Sequence, residues 1–139
     1  MKKVRDCMES ISKSFDSVAP HTPVEDLIQA VSRDASSRSV FVTDEGGGLL
    51  GIVHVREILR MLGAQHTDHG GFGSPLQVMA RRASDIMGPA YSVSPDDDLG
   101  VALKLAVQSE VYDIPVVENG KVVANLDCLE LIVNLRPGA

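Results

Sequence analysis

Residues 113–127 read DIPVVENGKVVANLD, and this stretch decides the fold. Its apolar runs, 113–118 and 121–126, are typical of short β-strands, and the Asn119-Gly120 pair between them is a strong signal for a tight hairpin turn. An earlier stretch, SVFVTDEGGGLLGIVH at 39–54, has the same order of features, with strand-like runs at 39–43 and 49–53. The same hairpin therefore occurs twice, which predicts an internal duplication.

Matches outside the hairpins support the duplication. Asp-Cys-Met at 6–8 matches Asp-Ile-Met at 85–87, an offset of 79. Val-Ala-Pro at 18–20 matches Val-Ser-Pro at 93–95, an offset of 75 that carries residues 40–42 onto 115–117. Glu-Ile-Leu at 57–59 matches Glu-Leu-Ile at 130–132, an offset of 73. The first copy thus has four extra residues after Met8 and two in its glycine turn, at loop positions that tolerate insertions.

Helical periodicity also recurs in both copies. Thr22 to Glu25 form a predicted capping box with Pro23 as the first helical residue, and Asp97 is the predicted cap in the second copy. The apolar positions of the first helix are Val24, Leu27, Ile28 and Val31, matched by Leu99, Ala102, Leu103 and Ala106. Those of the closing helix are Val55, Ile58, Leu59 and Leu62, matched by Cys128, Leu131, Ile132 and Leu135. Each copy is therefore predicted to run strand, helix, strand, strand, helix.

The duplication sets the predicted domain boundaries. The first repeat spans 1–62, a linker spans 63–82, and the second repeat spans 83–139. Glycines within 63–74 predict a flexible loop. Ser74-Pro75 predicts the start of a connecting helix that runs to about Met87, with Leu76, Met79 and Ala83 on one face.

Composition narrows the function classes. The chain has 139 residues and a formal net charge of −6, and its longest basic runs are two residues, so nucleic acid is not an expected partner. Cys7 and Cys128 lie in apolar patterns without CxxC spacing, so we expect reduced core thiols. No apolar stretch follows the first charged residues and none approaches the length of a membrane span. We expect a soluble cytoplasmic protein with no membrane partner.

Four fragments have a characteristic order and spacing: GIV at 51–53, DIM at 85–87, VSPDDDL at 93–99 and YDIPVVENG at 112–120. With them the sequence resembles a pair of CBS domains, also called a Bateman module. The resemblance implies an α/β fold in which two β-α-β-β-α repeats pack with pseudo-two-fold symmetry, and a further pairing into a homodimer. It also implies a regulatory sensor that binds adenosine nucleotides between its repeats. The residues support part of this independently, because one repeat cannot close a core alone, and a pseudo-symmetric pair leaves two related clefts where ligands are favoured.

The sequence departs from the family where the closing helix begins. Members that hold a nucleotide have Ser or Thr there and Asp three residues later. Here His54 and Glu57 occupy these places in the first copy, and Asp127 and Glu130 in the second. Both glutamates can still accept hydrogen bonds from a ribose diol. His54 and Arg56 could neutralise a phosphate, which Asp127 would repel, so we expect unequal clefts with the ligand near His54 and Arg56.

A purely structural interpretation stays open for each candidate. Acids in the first turn of a helix are favoured by its dipole, which explains both glutamates, and Asp127 suits a helix N-cap. Ile114 and Pro115 could lie along a purine, or Pro115 could mark an edge position that needs no donor. Tyr112 and Asp113, directly before that strand, are further cleft candidates. The candidate set is completed by Ser17, Ser92 and Val40.

Other clusters are weaker candidates. His66, Asp68 and His69 could bind a metal, but a mobile polar loop is favoured because a site needs three or four fixed ligands. The aspartates at 96–98 are explained by helix capping, and the chain has no nucleophile elbow, P-loop or His-Glu-x-x-His motif. We therefore expect no enzyme and no required cofactor.

Two functions remain open at this point. In the first, a sensor binds AMP, ADP, ATP or another adenosyl ligand and acts on a separate effector protein, since the chain has no further domain. In the second, a ligand-free module serves dimerisation or protein interaction. An isologous homodimer is the expected assembly.

Overall fold

The first half of the chain folds in the predicted order, in a computed structural model that describes residues 2–11, 15–33, 38–66 and 79–138. The elements are β1 (Ser17–Val18), α1 (Val24–Ser32), β2 (Ser39–Thr43), β3 (Leu49–His54) and α2 (Val55–His66). β1 pairs in parallel with β2, which pairs antiparallel with β3. β-Branched and aromatic residues favour strands, and two such pairs join β2 to β3: Val40 with Val53, and Phe41 with Ile52.

The second half repeats this order with a weaker first strand. The elements are α3 (Ala83–Ile86), α4 (Leu99–Ser109), β4 (Asp113–Glu118), β5 (Lys121–Asp127) and α5 (Cys128–Leu135). In place of a strand before α4, a single parallel bridge joins Val93 to Val116. The turn between β4 and β5 confirms the hairpin prediction, since Asn119 and Gly120 adopt φ values of 53° and 77°.

The chain forms two compact units that differ from the two repeats. The central unit is Asp16–Ala90, and the split unit joins Met1–Phe15 to Tyr91–Ala139. A 3₁₀-helix at Val4–Cys7, which leads the first repeat, thus packs with the second repeat, while α3 packs with the first. The repeats have exchanged their leading segments, and the predicted boundaries at 62 and 83 remain a prediction about the sequence repeat.

The two exchanged segments make equivalent backbone hydrogen bonds in the units that they join. Val4 N–H donates to the Asp97 carbonyl over 2.9 Å, and at the equivalent place Ala83 N–H donates to the Thr22 carbonyl over 2.9 Å. Further matched pairs are Leu99 N–H to Lys2 O with Val24 N–H to Arg81 O, and Arg5 N–H to Pro95 O with Ser84 N–H to Pro20 O. This repetition of contacts supports a duplicated unit with internal symmetry.

Each unit has one aliphatic core. The core of the central unit comprises Leu27, Ala30, Val40, Val42, Val53, Ile58, Met61, Ala80, Ala83 and Ile86. The core of the split unit comprises Val4, Cys7, Ile11, Val93, Leu99, Ala102, Val111, Ile114, Val116, Ala124, Leu126 and Leu131. Three predicted helix positions are exposed instead: Leu59, Leu103 and Ile132. The buried stripe of each helix is therefore narrower than the apolar pattern suggests.

The predicted connection between the repeats is partly wrong. α2 continues through Gly63 to His66, so the loop does not begin at residue 63. The connecting helix does not run unbroken to Met87, because Arg82 is extended (φ −141°) and bridges Pro23, and the helix begins only at Ala83. Ser74, Leu76, Asp68 and His69 lie outside the described residues.

Two capping predictions are also wrong by one residue. The N-cap of α1 is Pro23 rather than Thr22, and that of α4 is Asp98 rather than Asp97; neither has a side-chain capping bond. The carboxylate of Asp97 instead accepts the N–H of Ser94 at 2.8 Å. Backbone pairing with the exchanged segments occupies these helix starts, which reduces the need for side-chain caps.

The strands correct the repeat alignment. Val40 pairs with Val53 where Ile114 pairs with Leu126, so Val40 corresponds to Ile114 and not to Pro115. One of the two extra residues of the first copy therefore lies before β2 and only one in the glycine turn. A slip of one residue matters because it turns a side chain to the other face of the sheet.

Both cysteines are free thiols, as predicted. Cys7 lies in the core of the split unit, and Cys128, at the start of α5, is half-buried. Burial raises the pKa of both thiols, so both stay protonated at neutral pH.

Candidate functional site

The candidate residues fall into two groups, one in each unit. In the central unit, His54 ends β3 opposite Ser39, and Arg56 and Glu57 lie in the first turn of α2. Ser17 is exposed on β1, whereas the Val40 side chain is buried in the core. Of these candidates, residues 54, 56 and 57 lie together at the start of α2.

Ion pairs hold Glu57 in place. Arg56 Nε lies 3.2 Å from Oε1 of Glu57, and Arg60 Nη1 lies 3.5 Å from Oε2. The glutamate side chain is only 18 % exposed, while Arg56 and Arg60 are 46 % and 64 % exposed. Two guanidinium groups around one carboxylate leave an excess of positive charge, which suits an anion such as a phosphate.

In the split unit, the candidates surround the start of α5. Oδ1 of Asp127 accepts the N–H groups of Leu129 at 2.8 Å and Glu130 at 3.1 Å. Asp127 is thus the N-cap of α5, as the structural interpretation predicted. Glu130 accepts a hydrogen bond from Ser10 Oγ at 3.3 Å, a contact that the exchanged leading segment supplies.

Tyr112, Asp113, Ile114 and Pro115 are consecutive but lie in different surroundings. Tyr112 is 62 % exposed, and Asp113 is buried. Ile114 points into the core, so a ligand on the opposite face could reach only its backbone. Pro115 is buried, and its carbonyl accepts the N–H of Val93 at 3.1 Å. Ser92, the residue before Val93, is exposed.

One polar residue was missed by the sequence analysis. Asn125 faces Pro115 across the β4–β5 pair, and its Nδ2 donates to Oδ1 of Asp113 at 3.0 Å. With alternating side chains, Asp113, Pro115, Asn125 and Asp127 share the face turned away from the core, which we call the polar sheet face. The sequence does contain a signal for this residue, because Asn125 is a polar residue within the otherwise apolar run VVANL.

The part of the chain that the structure describes has neither a group of metal-ligating side chains nor a helix that could span a membrane. No three of its His, Cys, Asp and Glu side chains are grouped so that they could hold a metal ion. His66, half of the predicted histidine pair, ends α2 instead of lying in a loop. Within the same residues, no helix combines the length and hydrophobicity needed to cross a bilayer.

Comparison with solved structures places the chain among CBS-domain proteins. A CBS domain-containing protein from Thermotoga maritima is 28 % identical, with a TM-score of 0.85 over 99 % of this chain and 96 % of that one. CBSX2 in complex with AMP is 20 % identical, with a TM-score of 0.73 over 96 % of both chains. The CBS domain pair of protein MJ0100, in complex with 5′-methylthioadenosine and S-adenosyl-L-methionine, is 15 % identical, with a TM-score of 0.74 over 96 % of this chain and 95 % of that one.

Sequence comparison agrees with the fold. No curated protein matched the sequence. The profile of the CBS domain matches residues 4–64 and 83–132, one match in each repeat. The matches cover most of the chain and confirm the resemblance seen in the fragments at 85–87 and 112–120. This chain belongs to the CBS domain family.

Proposed function

We propose that this chain is a regulatory module that binds an adenosine nucleotide, or a related adenosyl metabolite, and acts on a separate effector protein in the cytoplasm. The observation that carries the proposal is its full-length likeness to CBS-domain pairs whose structures contain AMP, or 5′-methylthioadenosine with S-adenosyl-L-methionine. The proposal is one of binding without catalysis.

The start of α2 supports the nucleotide part of the proposal. Arg56 and Arg60 are exposed on either side of Glu57, where a phosphate could add to the existing ion pairs. Glu57 would accept hydrogen bonds from a ribose only after it releases part of its contact with the arginines. We therefore assign Arg56 to the phosphate and Glu57 to the diol, with His54 beside them.

Thermal unfolding with AMP, ADP, ATP, NAD and S-adenosylmethionine tests the proposal. A ligand at about 100 times its Kd stabilises the native state by about 2.7 kcal/mol, which raises the Tm by several degrees. Arg56→Ala should abolish the shift by a phosphorylated ligand, whereas Arg33→Ala, an exposed arginine at the end of α1, should leave it unchanged. If no compound raises the Tm, the nucleotide proposal is wrong.

A second function, interaction without a ligand, is favoured by a different surface. On α5, Leu129, Ile132 and Val133 are 65 %, 62 % and 51 % exposed, an apolar surface that water does not favour. A homodimer that covers this surface is the assembly we propose. Light scattering on the wild type and on Ile132→Glu tests it: a dimer should become a monomer, and a monomeric wild type would contradict the assembly.

A further inference from the structure

The carboxylate of Glu57 is already paired with two cations of its own helix. Arg56 donates from Nε to Oε1 at 3.2 Å, and Arg60 donates from Nη1 to Oε2 at 3.5 Å, so each oxygen has an arginine. Most of the glutamate side chain is shielded from solvent, whereas both arginines reach it. A ribose diol would therefore meet an acceptor whose charge is already neutralised, and would have to compete with two guanidinium groups for it.

The equivalent helix of the split unit shows that the fold does not require this cluster. Glu130 of α5 corresponds to Glu57 of α2. Leu129 and Val133, both apolar and exposed, lie where the central unit has its two arginines. Glu130 instead accepts a hydrogen bond from the hydroxyl of Ser10. An acid in the first turn is thus common to both closing helices, while the pair of arginines distinguishes the helix of the central unit.

We propose that this site selects a phosphorylated nucleoside over an unphosphorylated one, because the phosphate takes Arg56 and Arg60 from Glu57 and frees that carboxylate for the ribose. The two arginines are four residues apart on one face of α2 and already converge on one carboxylate, so one phosphate group can contact both. A phosphate offers more acceptor oxygens than a carboxylate and suits guanidinium groups equally well. The inference rests on the proposed nucleotide binding and adds Arg60 as a residue that determines specificity.

The exchange of ion-pair partners couples the two halves of the ligand. AMP carries the anion that replaces Glu57 on the arginines, and its diol then meets a free carboxylate. Adenosine has the same diol but no anion, so its binding must separate Glu57 from an arginine without compensation. Removal of one arginine should therefore act in opposite directions on the two ligands: AMP loses a phosphate contact, and adenosine gains an acceptor.

Isothermal titration with AMP and adenosine, which differ only in the phosphate, tests the inference. The wild type should bind AMP at least about tenfold more tightly, a factor typical of a hydrogen bond between charged groups. Arg60→Ala should weaken AMP binding, strengthen adenosine binding and so lower the ratio at least about threefold, as the loss of an exposed ion pair allows. Arg33→Ala, at the exposed end of α1, is the matched control and should keep the wild-type ratio.

The opposite signs distinguish this role from a structural one, since a disturbed helix would weaken both ligands alike. If AMP binds the wild type but Arg60→Ala weakens both ligands equally or leaves the ratio unchanged, the inference is overturned and nucleotide binding stands. A wild type that binds adenosine as tightly as AMP overturns it in the same way. If neither compound binds the wild type, the nucleotide proposal fails together with the inference.

Discussion

The two units have equivalent apolar residues in their cores, but the sheet faces turned away from the cores differ in polarity. Towards the cores, Val40, Val42 and Val53 of the central unit correspond to Ile114, Val116 and Leu126 of the split unit, all apolar. On the faces turned away from the cores, the central unit has Phe41 and Ile52, both buried and apolar. The split unit has Pro115 and Asn125 at these places, with Asp113 and Asp127 beside them.

This difference separates what the fold requires from what it leaves open. Core positions tolerate only apolar residues of similar volume, so both repeats have kept them. The opposite face has no such requirement, because a hydrogen-bonded polar pair such as Asp113 and Asn125 can be buried there. The polar sheet face is therefore where the split unit can have become specialised.

Truncation of the two central residues should give the largest contrast. Phe41→Ala removes a fully buried ring and should cost about 3–5 kcal/mol of unfolding free energy. Pro115→Ala removes only about two buried methylene groups and gives the unfolded chain more freedom, so it should cost less, about 2 kcal/mol. Urea denaturation of the two variants measures both values. Equal losses would show that the two faces are packed alike and would contradict the difference described between the two units.

Close packing next to β3 should give the second largest effect. A Cβ atom on Gly51 would lie 2.6 Å from Sδ of Met87 and 2.9 Å from the Gly88 carbonyl oxygen. Gly51→Ala should therefore cost about 1–3 kcal/mol through overpacking. Gly88→Ala is the control, since its Cβ would meet nothing closer than 3.7 Å. The split unit has Ala124 at the place of Gly51, so the tight contact belongs to the central unit.

The helix starts should differ by a smaller amount. Asp127→Ala removes an N-cap that accepts two backbone N–H groups and should cost about 1 kcal/mol. Asp98→Ala removes an N-cap residue whose side chain makes no capping bond, so it should leave stability nearly unchanged. Thermal unfolding at neutral pH compares them. A larger loss for Asp98→Ala would contradict the capping geometry.

Much of the fold could be predicted because both repeats show the same local signals. The Asn119-Gly120 turn and the apolar alternation around it fix the β4–β5 hairpin without long-range information. The alignment of β2 with β4 was wrong by one residue, because VFV at 40–42 matches both IPV and PVV. Only the pairing of Val40 with Val53 decides between them.

The exchange of leading segments could not be predicted. Each segment presents a capping aspartate and apolar residues, Asp6 with Cys7 and Asp85 with Ile86, so either core could accept either one. For the same reason the connecting helix was predicted too long, since the backbone pairing that keeps Arg82 extended comes from a distant segment. Asn125 was missed because one amide in a strand becomes meaningful only beside Asp113.

The smallest effect should come from the capping aspartates of the exchanged segments. Asp85 accepts the N–H groups of Arg81 at 3.0 Å and Arg82 at 3.1 Å, and these bonds lower the pKa of its carboxyl. Within the described residues, the carboxylate of Asp6 accepts one backbone N–H group, that of Lys3, at 2.9 Å.

A carboxyl whose pKa is lower in the folded state stabilises the fold above its unfolded pKa, and this contribution is lost as the pH falls through the folded value. Asp85→Asn should therefore lower the Tm slightly at pH 7, and the difference from the wild type should shrink below about pH 4, near the ordinary pKa of aspartate. Thermal unfolding of this variant and the wild type from pH 7 to pH 3 measures the difference, and a difference that grows on acidification would show that Asp85 is not stabilised as a carboxylate.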